Sequence, residues 1–243
     1  MKITQIGQVY QVAFMPNIFP VNCYLVEEEQ ELTLVDAAMP FSVNGILEAA
    51  SKIGKPITRI VLTHAHGDHI GALDGLKKAL PQAIVHISRR DGKLLAGNQE
   101  LEAGEPNQPI KGAVPKPGAI QTKPDVYLED GDRVGSLQAV AAPGHTPGMM
   151  AFLDIRSRAL IAGDAFQVRG GFAVSGVVKF WFPFPAMATW SKEVSLASAV
   201  KLRALKPSLI AVGHGQMIVQ PQAMLDKAVD EASKNFQIEI ASI

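Results

Sequence analysis

Thr63-His64-Ala65-His66-Gly67-Asp68-His69 places three imidazoles and a carboxylate directly after the apolar run at 60–62. A strand that ends in such a loop delivers metal-ligand side chains at its C-terminal rim, the edge where open α/β folds build their sites. His64 and His66 stand two apart, so an extended segment projects both to the same side. Three other segments repeat the arrangement: 137–142 precedes His145, 159–162 precedes Asp164, and 209–212 precedes His214. Five of the six histidines therefore follow apolar runs.

Taken singly, each residue has an ordinary role. Asp68 suits a helix N-cap, and His145 suits a turn between two Pro/Gly pairs. Jointly they point to metal. Imidazole and carboxylate suit zinc, and also iron or manganese. Five histidines and two aspartates exceed what one four-coordinate ion takes. Two divalent ions sharing Asp164, at a separation of ~3.5–4 Å, use all seven: His64, His66, Asp68, His69, His145, Asp164 and His214. The sixth histidine, His86, alternates within Ala-Ile-Val-His-Ile-Ser and reads as a packed strand residue.

Outward from these motifs, strands and helices alternate along the chain, which predicts α/β architecture in a single domain over residues 1–243. Short strand-like runs fill the first forty residues. A helix fits 41–53 and stops at Gly54; a second runs from about Ile70 to Ala79; 83–88 is a strand. Residues 97–125, punctuated by Pro106, Pro109, Pro115, Pro117 and Pro124, show no periodicity, and so long an irregular stretch is usually functional or mobile. Strands return at 126–134, 137–144, 150–155 and 158–164. An irregular stretch follows at 168–188. Two helices close the chain around the strand at 209–215, the first presenting Trp190, Val194, Ala197, Val200 and Ala204 on one face.

Composition excludes several classes. Apolar residues make up 47% of the 243, so the chain carries material for a core and is not of disordered type. Lys plus Arg equals Asp plus Glu at 23 each, so no global field draws it to nucleic acid or anionic lipid. Cys23 stands alone and can build neither an internal disulfide nor a thiolate metal cage. No stretch reaches the ~18 apolar residues of a membrane span, and the N-terminus lacks a signal-peptide core, so a cytoplasmic location is expected.

The motifs Thr-His-Ala-His-Gly-Asp-His, Pro-Gly-His-Thr-Pro-Gly, Gly-Asp and Gly-His-Gly, in this order, resemble the metallo-β-lactamase superfamily over nearly the whole chain. The resemblance implies a four-layered αββα sandwich. It also implies that His64, His66 and His145 hold one ion, that Asp68, His69 and His214 hold the other, that Asp164 bridges, and that Asp36 supports the ligand loop from behind. The reaction implied is attack of a metal-bridging hydroxide on a lactone, ester or thioester, with Asp164 and Asp68 in catalytic roles.

Branches of the superfamily separate on residues. Asp164 stands where true β-lactamases of the family typically carry cysteine or serine. The tail after His214 is shorter than the helical domain of glyoxalase II. Balanced charge disfavours nuclease branches, and His66 stands where flavodiiron proteins usually carry a carboxylate. The small acyl-homoserine-lactone lactonases are closest in layout, but Gln167 replaces their tyrosine three residues after the bridging aspartate. A nucleotide phosphodiesterase and an iron-dependent sulfur dioxygenase of the same fold are the alternatives.

The uncharged aromatic stretch Phe180, Trp181, Phe182, Phe184, Met187 and Trp190 suits either the lining of an apolar acyl pocket or a core plug. Arg169, beside Gly170 and Gly171, reads as a surface arginine. The expected partner is a small molecule with an apolar acyl part.

Overall fold

Residues 1–240 are described by the structure, a computed structural model. Seven strands form one sheet in sequence order: β1 (Lys2–Ile6), β2 (Val9–Phe14), β3 (Val21–Glu27), β4 (Leu32–Val35), β5 (Ile57–Val61), β6 (Ile84–Ser88) and β7 (Val126–Leu128). The first four pair antiparallel, and β4 to β7 pair parallel. The second sheet takes β8 (Arg133–Val134), β9 (Leu137–Ala141), β10 (Met150–Asp154) and β11 (Ala159–Ile161). A two-stranded ribbon of β12 (Phe166–Gln167) and β13 (Ala173–Val174) follows, and β14 (Leu209–Ala211) and β15 (Ile218–Val219) then join the second sheet beyond β11.

Period-two alternation along these strands sorts the apolar side chains into three cores. In β3, Val21, Cys23 and Leu25 face one way and Tyr24 and Val26 the other; in β10, Ala151 and Leu153 oppose Met150 and Phe152. The first core is shared with α1 (Val43–Ile53), α2 (Gly67–Ile70), α3 (Leu73–Ala79) and α4 (Arg89–Leu95), through Ile46, Ile70, Leu76 and Leu94. Beyond α5 (Phe184–Ala188), the helices α6 (Lys192–Ala204) and α7 (Gln222–Phe236) cover the second sheet through Leu196, Leu202, Leu225 and Val229. The third core joins the two sheets, with Tyr24, Val61, Phe152 and Ile161 at its centre. Three cores between four layers are the αββα sandwich expected from the motifs.

Several local expectations differ. The helix placed at Ile70–Ala79 is two helices, because the Gly71 N–H bonds to the Ala38 carbonyl at 2.8 Å and the next residue, Ala72, leaves helical geometry before the second helix begins. The strand read over 126–134 is β7 and β8, which lie in different sheets; the Asp132 carboxylate takes the Glu129 N–H at 2.8 Å and turns the chain between them. Two short helices, α4 and α5, stand where no helix is legible. In α6 the buried face is Ser195, Leu196, Ser198, Ala199 and Leu202 rather than the apolar stripe read from sequence. Its serine hydroxyls donate to the Ser175 and Pro143 carbonyls, so small polar residues serve as packing surface there.

Candidate metal centre

Four strands end at the same rim of the sandwich: β5 leads to His64, β9 to His145, β11 to Asp164 and β14 to His214. The ligand-type atoms gather into three overlapping groups, each within 4.8 Å: His64, His66 and His145; His64, His69 and Asp164; Asp68, His69 and His214. All seven sequence-predicted residues are thus brought together. Asp164 sits between the outer groups, with Oδ1 3.5 Å from His69 Nε2 and Oδ2 3.4 Å from His145 Nε2 and 3.2 Å from His214 Nε2. Asp68 lies inside α2, where it caps nothing, and its Oδ2 is 3.4 Å from His214 Nε2.

Each imidazole is held from behind by one ring nitrogen, which sets its tautomer. His214 Nδ1 donates to the Pro20 carbonyl at 2.7 Å, and His66 Nε2 donates to the Lys111 carbonyl at 2.8 Å. His69 Nδ1 donates to Asp36 Oδ2 at 2.8 Å. Thr63 gives its hydroxyl proton to Asp36, so His64 Nδ1 donates to Thr63 Oγ1 at 3.0 Å. A relay serves His145: Nδ1 donates to Ser175 Oγ, Ser175 to Thr189 Oγ1, and Thr189 to the Pro185 carbonyl at 2.7 Å.

Once those protons are placed, every inward nitrogen of a neutral ring carries a lone pair. His66 Nδ1 and His145 Nε2 meet at 3.0 Å with no proton between them. His64 Nε2, His69 Nε2 and Asp164 Oδ1 are buried without a hydrogen-bond partner. Lone pairs converging on a carboxylate in a dry site call for positive charge. The donor set therefore fits divalent metal: one ion at His64, His66 and His145, one at Asp68, His69 and His214, and Asp164 within reach of both.

The metal-free protein meets the same demand with protons. Burial pushes His64, His66 and His145 below the ordinary histidine range. Burial also opposes charge on His69 and His214, but the surrounding carboxylates, Asp164 with Asp36 and Asp68 at His69 and Asp164 with Asp68 at His214, together hold both above that range. Asp164 itself is buried, which favours its acid form, yet His214 and His69 keep it well below the carboxylate range.

Asp36, expected to support the loop, does so. It takes the Thr63 N–H at 2.7 Å as well as His69, and it adopts a left-handed backbone with φ of 63°, which Asp tolerates better than most residues. His86 is buried and hydrogen-bonds the Ile84 carbonyl, away from the centre. Arg169 donates to the Asn17 carbonyl at 2.8 Å. Gln167 is buried, and its amide donates to the Arg169 and Phe182 carbonyls at 3.0 and 3.1 Å. Both of its N–H groups are therefore spent on the backbone, so it shapes the loop rather than replacing a tyrosine acid.

A cavity of about 660 Å³ opens over the cluster. The aromatic stretch divides three ways around it. Phe184 and Met187 line it, Phe182 and Trp190 are buried, and Phe180 and Trp181 stand 83% and 82% exposed.

Sequence reasoning missed the part played by 97–125. The stretch is a strap laid over His66, with the Lys111 carbonyl on its ring, the Ala113 carbonyl accepting from Gly67 N, and Trp190 Nε1 donating to the Gln108 carbonyl. At Gly112 a Cβ would lie 2.3 Å from His66 Nε2, so no side chain fits. The density of Gly and Pro was the only signal.

A family model of the metallo-beta-lactamase superfamily matches residues 16–214. The chain belongs to that superfamily. Metal-dependent hydrolase is the class this membership gives it. The chain is 54% identical over 234 residues to the uncharacterized protein YobT of Bacillus subtilis, covering 96% of this chain and all of that one. It is 28% identical over 214 residues to the probable metallo-hydrolase YflN of the same organism, with 80% of each chain covered. Among solved structures, TTHA1623 in a di-iron-bound form superposes with a TM-score of 0.65 at 28% identity, over 88% of this chain and 96% of that one. Among the described residues no helix is long and apolar enough to cross a membrane.

Proposed function

We propose that the protein is a dinuclear hydrolase of neutral, apolar acyl compounds: a lactone, ester or thioester. The observation that carries this is the cavity wall. Beside the metal-ligand residues it consists of Phe19, Met39, Pro40, Ala113, Phe184, Pro185, Met187, Ala188 and glycine, with no Lys or Arg among the described residues. Such a wall suits an uncharged acyl chain; a phosphodiester or a glutathione-like anion would ask for a cation there.

Bound in this donor set, two divalent ions lower the pKa of water towards ~7 and act as Lewis acids on an acyl oxygen. Zinc suits the imidazole and carboxylate ligands, and the di-iron form of TTHA1623 makes iron a second candidate. The chain's own residues do the rest. Asp164 fixes the two ligand groups relative to one another, and its low pKa keeps it ionised. Asp68 is the ligand-set carboxylate that is half-buried and lines the cavity, which places it to accept a proton at its carboxylate during turnover. Phe184 and Met187 orient the acyl chain and exclude water.

Beside the ligands, no side-chain acid lines the cavity, and the Gln167 amide is committed elsewhere. A leaving group that departs as a stable anion is therefore favoured. This ranks a thioester, whose thiol has a pKa near ~8.5, ahead of an acyl-homoserine lactone.

The test is initial hydrolysis rates on a medium-chain acyl-homoserine lactone, an acyl thioester of N-acetylcysteamine and a bis-aryl phosphodiester, with and without chelator. Chelator-sensitive thioester cleavage exceeding the lactone rate is expected. A phosphodiester preferred over both acyl substrates overturns the reading, as does rapid acyl hydrolysis indifferent to chelation.

A further inference from the structure

Asp91, at the start of α4, is fully buried, and no cation lies within ion-pair distance of it among the described residues. Its carboxylate instead receives three hydrogen bonds from two separate loops. Oδ2 accepts from Ala65 N at 2.9 Å and from Thr146 Oγ1 at 2.8 Å; Oδ1 accepts from Gly148 N at 2.7 Å. Ala65 lies between His64 and His66, and Thr146 follows His145. The donors thus flank all three histidines of one metal group, while Asp91 touches none of them.

The position is built for close approach. Ser88 Oγ accepts from Asp91 N at 3.0 Å and so fixes the turn that carries the carboxylate. A Cβ on Gly148 would lie 2.5 Å from Asp91 N and 2.6 Å from Ser88 Oγ, so the His145 loop is seated against α4 with no space for a side chain. Asp36 grips the same ligand loop at Thr63 N, two residues before Ala65. His64 is thereby held between two buried carboxylates, Asp36 on the side of His69 and Asp91 on the side of His145.

We infer that Asp91 is the positioning residue for the His64, His66 and His145 group, clamping two loops that nothing else on α4 joins and so presetting the ion's geometry. The inference rests on the two-ion reading of the site. Burying a carboxylate is unfavourable without compensation, and here the compensation is drawn from the backbone and hydroxyl groups around the ligands. An outer group of this kind typically changes metal affinity ~10- to 100-fold when altered.

The experiment compares zinc-loaded wild type with Asp91→Asn and Asp91→Ala, using Asp74→Asn as reference. The Asp74 carboxylate also takes three donors, Gln121 N, Thr122 N and Thr122 Oγ1, but they follow the strap's last contact with the centre, at Ala113, by eight residues or more and flank no ligand. Zinc retention is followed against a competing chelator, together with thermal unfolding of the metal-free proteins. Asp91→Asn is expected to release one of its two ions ~10- to 100-fold more readily, with the second ion held as in wild type. Asp74→Asn is expected to lose thermal stability while retaining both ions. If Asp91→Ala fails to fold, the near-isosteric Asn variant decides. Two ions held by Asp91→Asn at wild-type affinity overturn the inference, as does equal weakening of both ions that Asp74→Asn reproduces. A wild type that binds one ion refutes the two-ion reading instead, and Asp91 is then judged on that ion's affinity.

Discussion

Replacing Gly112 with alanine tests whether the strap over the site bears on the metal ligands. The added methyl would stand 2.3 Å from His66 Nε2 and 2.4 Å from its Cε1, at a residue whose φ is +86°. The left-handed backbone alone costs an alanine ~1–2 kcal/mol. The steric conflict lifts the Lys111 carbonyl from the His66 N–H, leaving a buried donor unpaired for a further ~1–3 kcal/mol. At ~2–4 °C per kcal/mol for a chain of this size, the combined ~2–5 kcal/mol lowers the unfolding midpoint by roughly 4–20 °C. Gly118→Ala supplies the control, because its φ is +77° with nothing within 4 Å of the new methyl. Only the backbone cost, ~1–2 kcal/mol, is expected there. Differential scanning of both metal-free variants, with zinc release by a chelator measured alongside, separates contact from backbone strain. Gly112→Ala behaving like Gly118→Ala in both measurements would refute the argument that the strap rests on His66.

Three other outcomes follow from the centre. Asp164→Ala is expected to lose acyl hydrolysis by several orders of magnitude while the far-ultraviolet spectrum is kept; turnover near wild type with two ions bound would remove Asp164 from its role. Zinc uptake in weak buffer is expected to release protons, because the neighbouring carboxylates raise the proton affinity of His69 and His214 and metal competes with that proton; uptake without acidification contradicts that. The pH dependence of stability should carry the mark of Asp91, whose pKa burial raises from 3.8 to about 6. Between those values the folded state holds a proton that the unfolded chain has lost, so stability falls as pH rises through the window, by roughly 3 kcal/mol in total. Urea unfolding of wild type against Asp91→Asn from pH 4 to pH 7 should show the wild type losing ground as pH rises; a constant gap counts against it.

The seven ligand-type residues and an α/β architecture were legible because both follow from local pattern, while the four-layered sandwich was implied by the resemblance to the metallo-β-lactamase superfamily. Apolar runs end in His or Asp, and period-two alternation dictates two faces per strand. What escaped was tertiary. Asp91 shows in the sequence only as the third residue after a capping Ser88, and nothing local reveals that its carboxylate crosses to Ala65 and Gly148. Gly112 looks like any other glycine in a Pro-rich stretch until His66 is found beneath it. The α6 face was misread because Ser195 and Ser198 lie buried with their hydroxyls satisfied by backbone carbonyls, a compensation no hydropathy pattern encodes. Gln167 could be placed by its offset from Asp164, but only the fold shows its amide turned to the backbone of the aromatic stretch.

The strap meets the centre through main-chain atoms: the carbonyls of Gln108, Lys111 and Ala113 do the bonding, and Gly112 is the point of contact. Side chains at the neighbouring positions are consequently released from any duty towards the metal. Among the described residues the strap contributes one side chain to the cavity wall, Ala113, and its substitution reshapes that wall without replacing a ligand, so diversification of substrate range and preservation of the reactive centre draw on separate positions. A library at Ala113, with Gly112 held constant, would explore new acyl groups on an unchanged catalytic core.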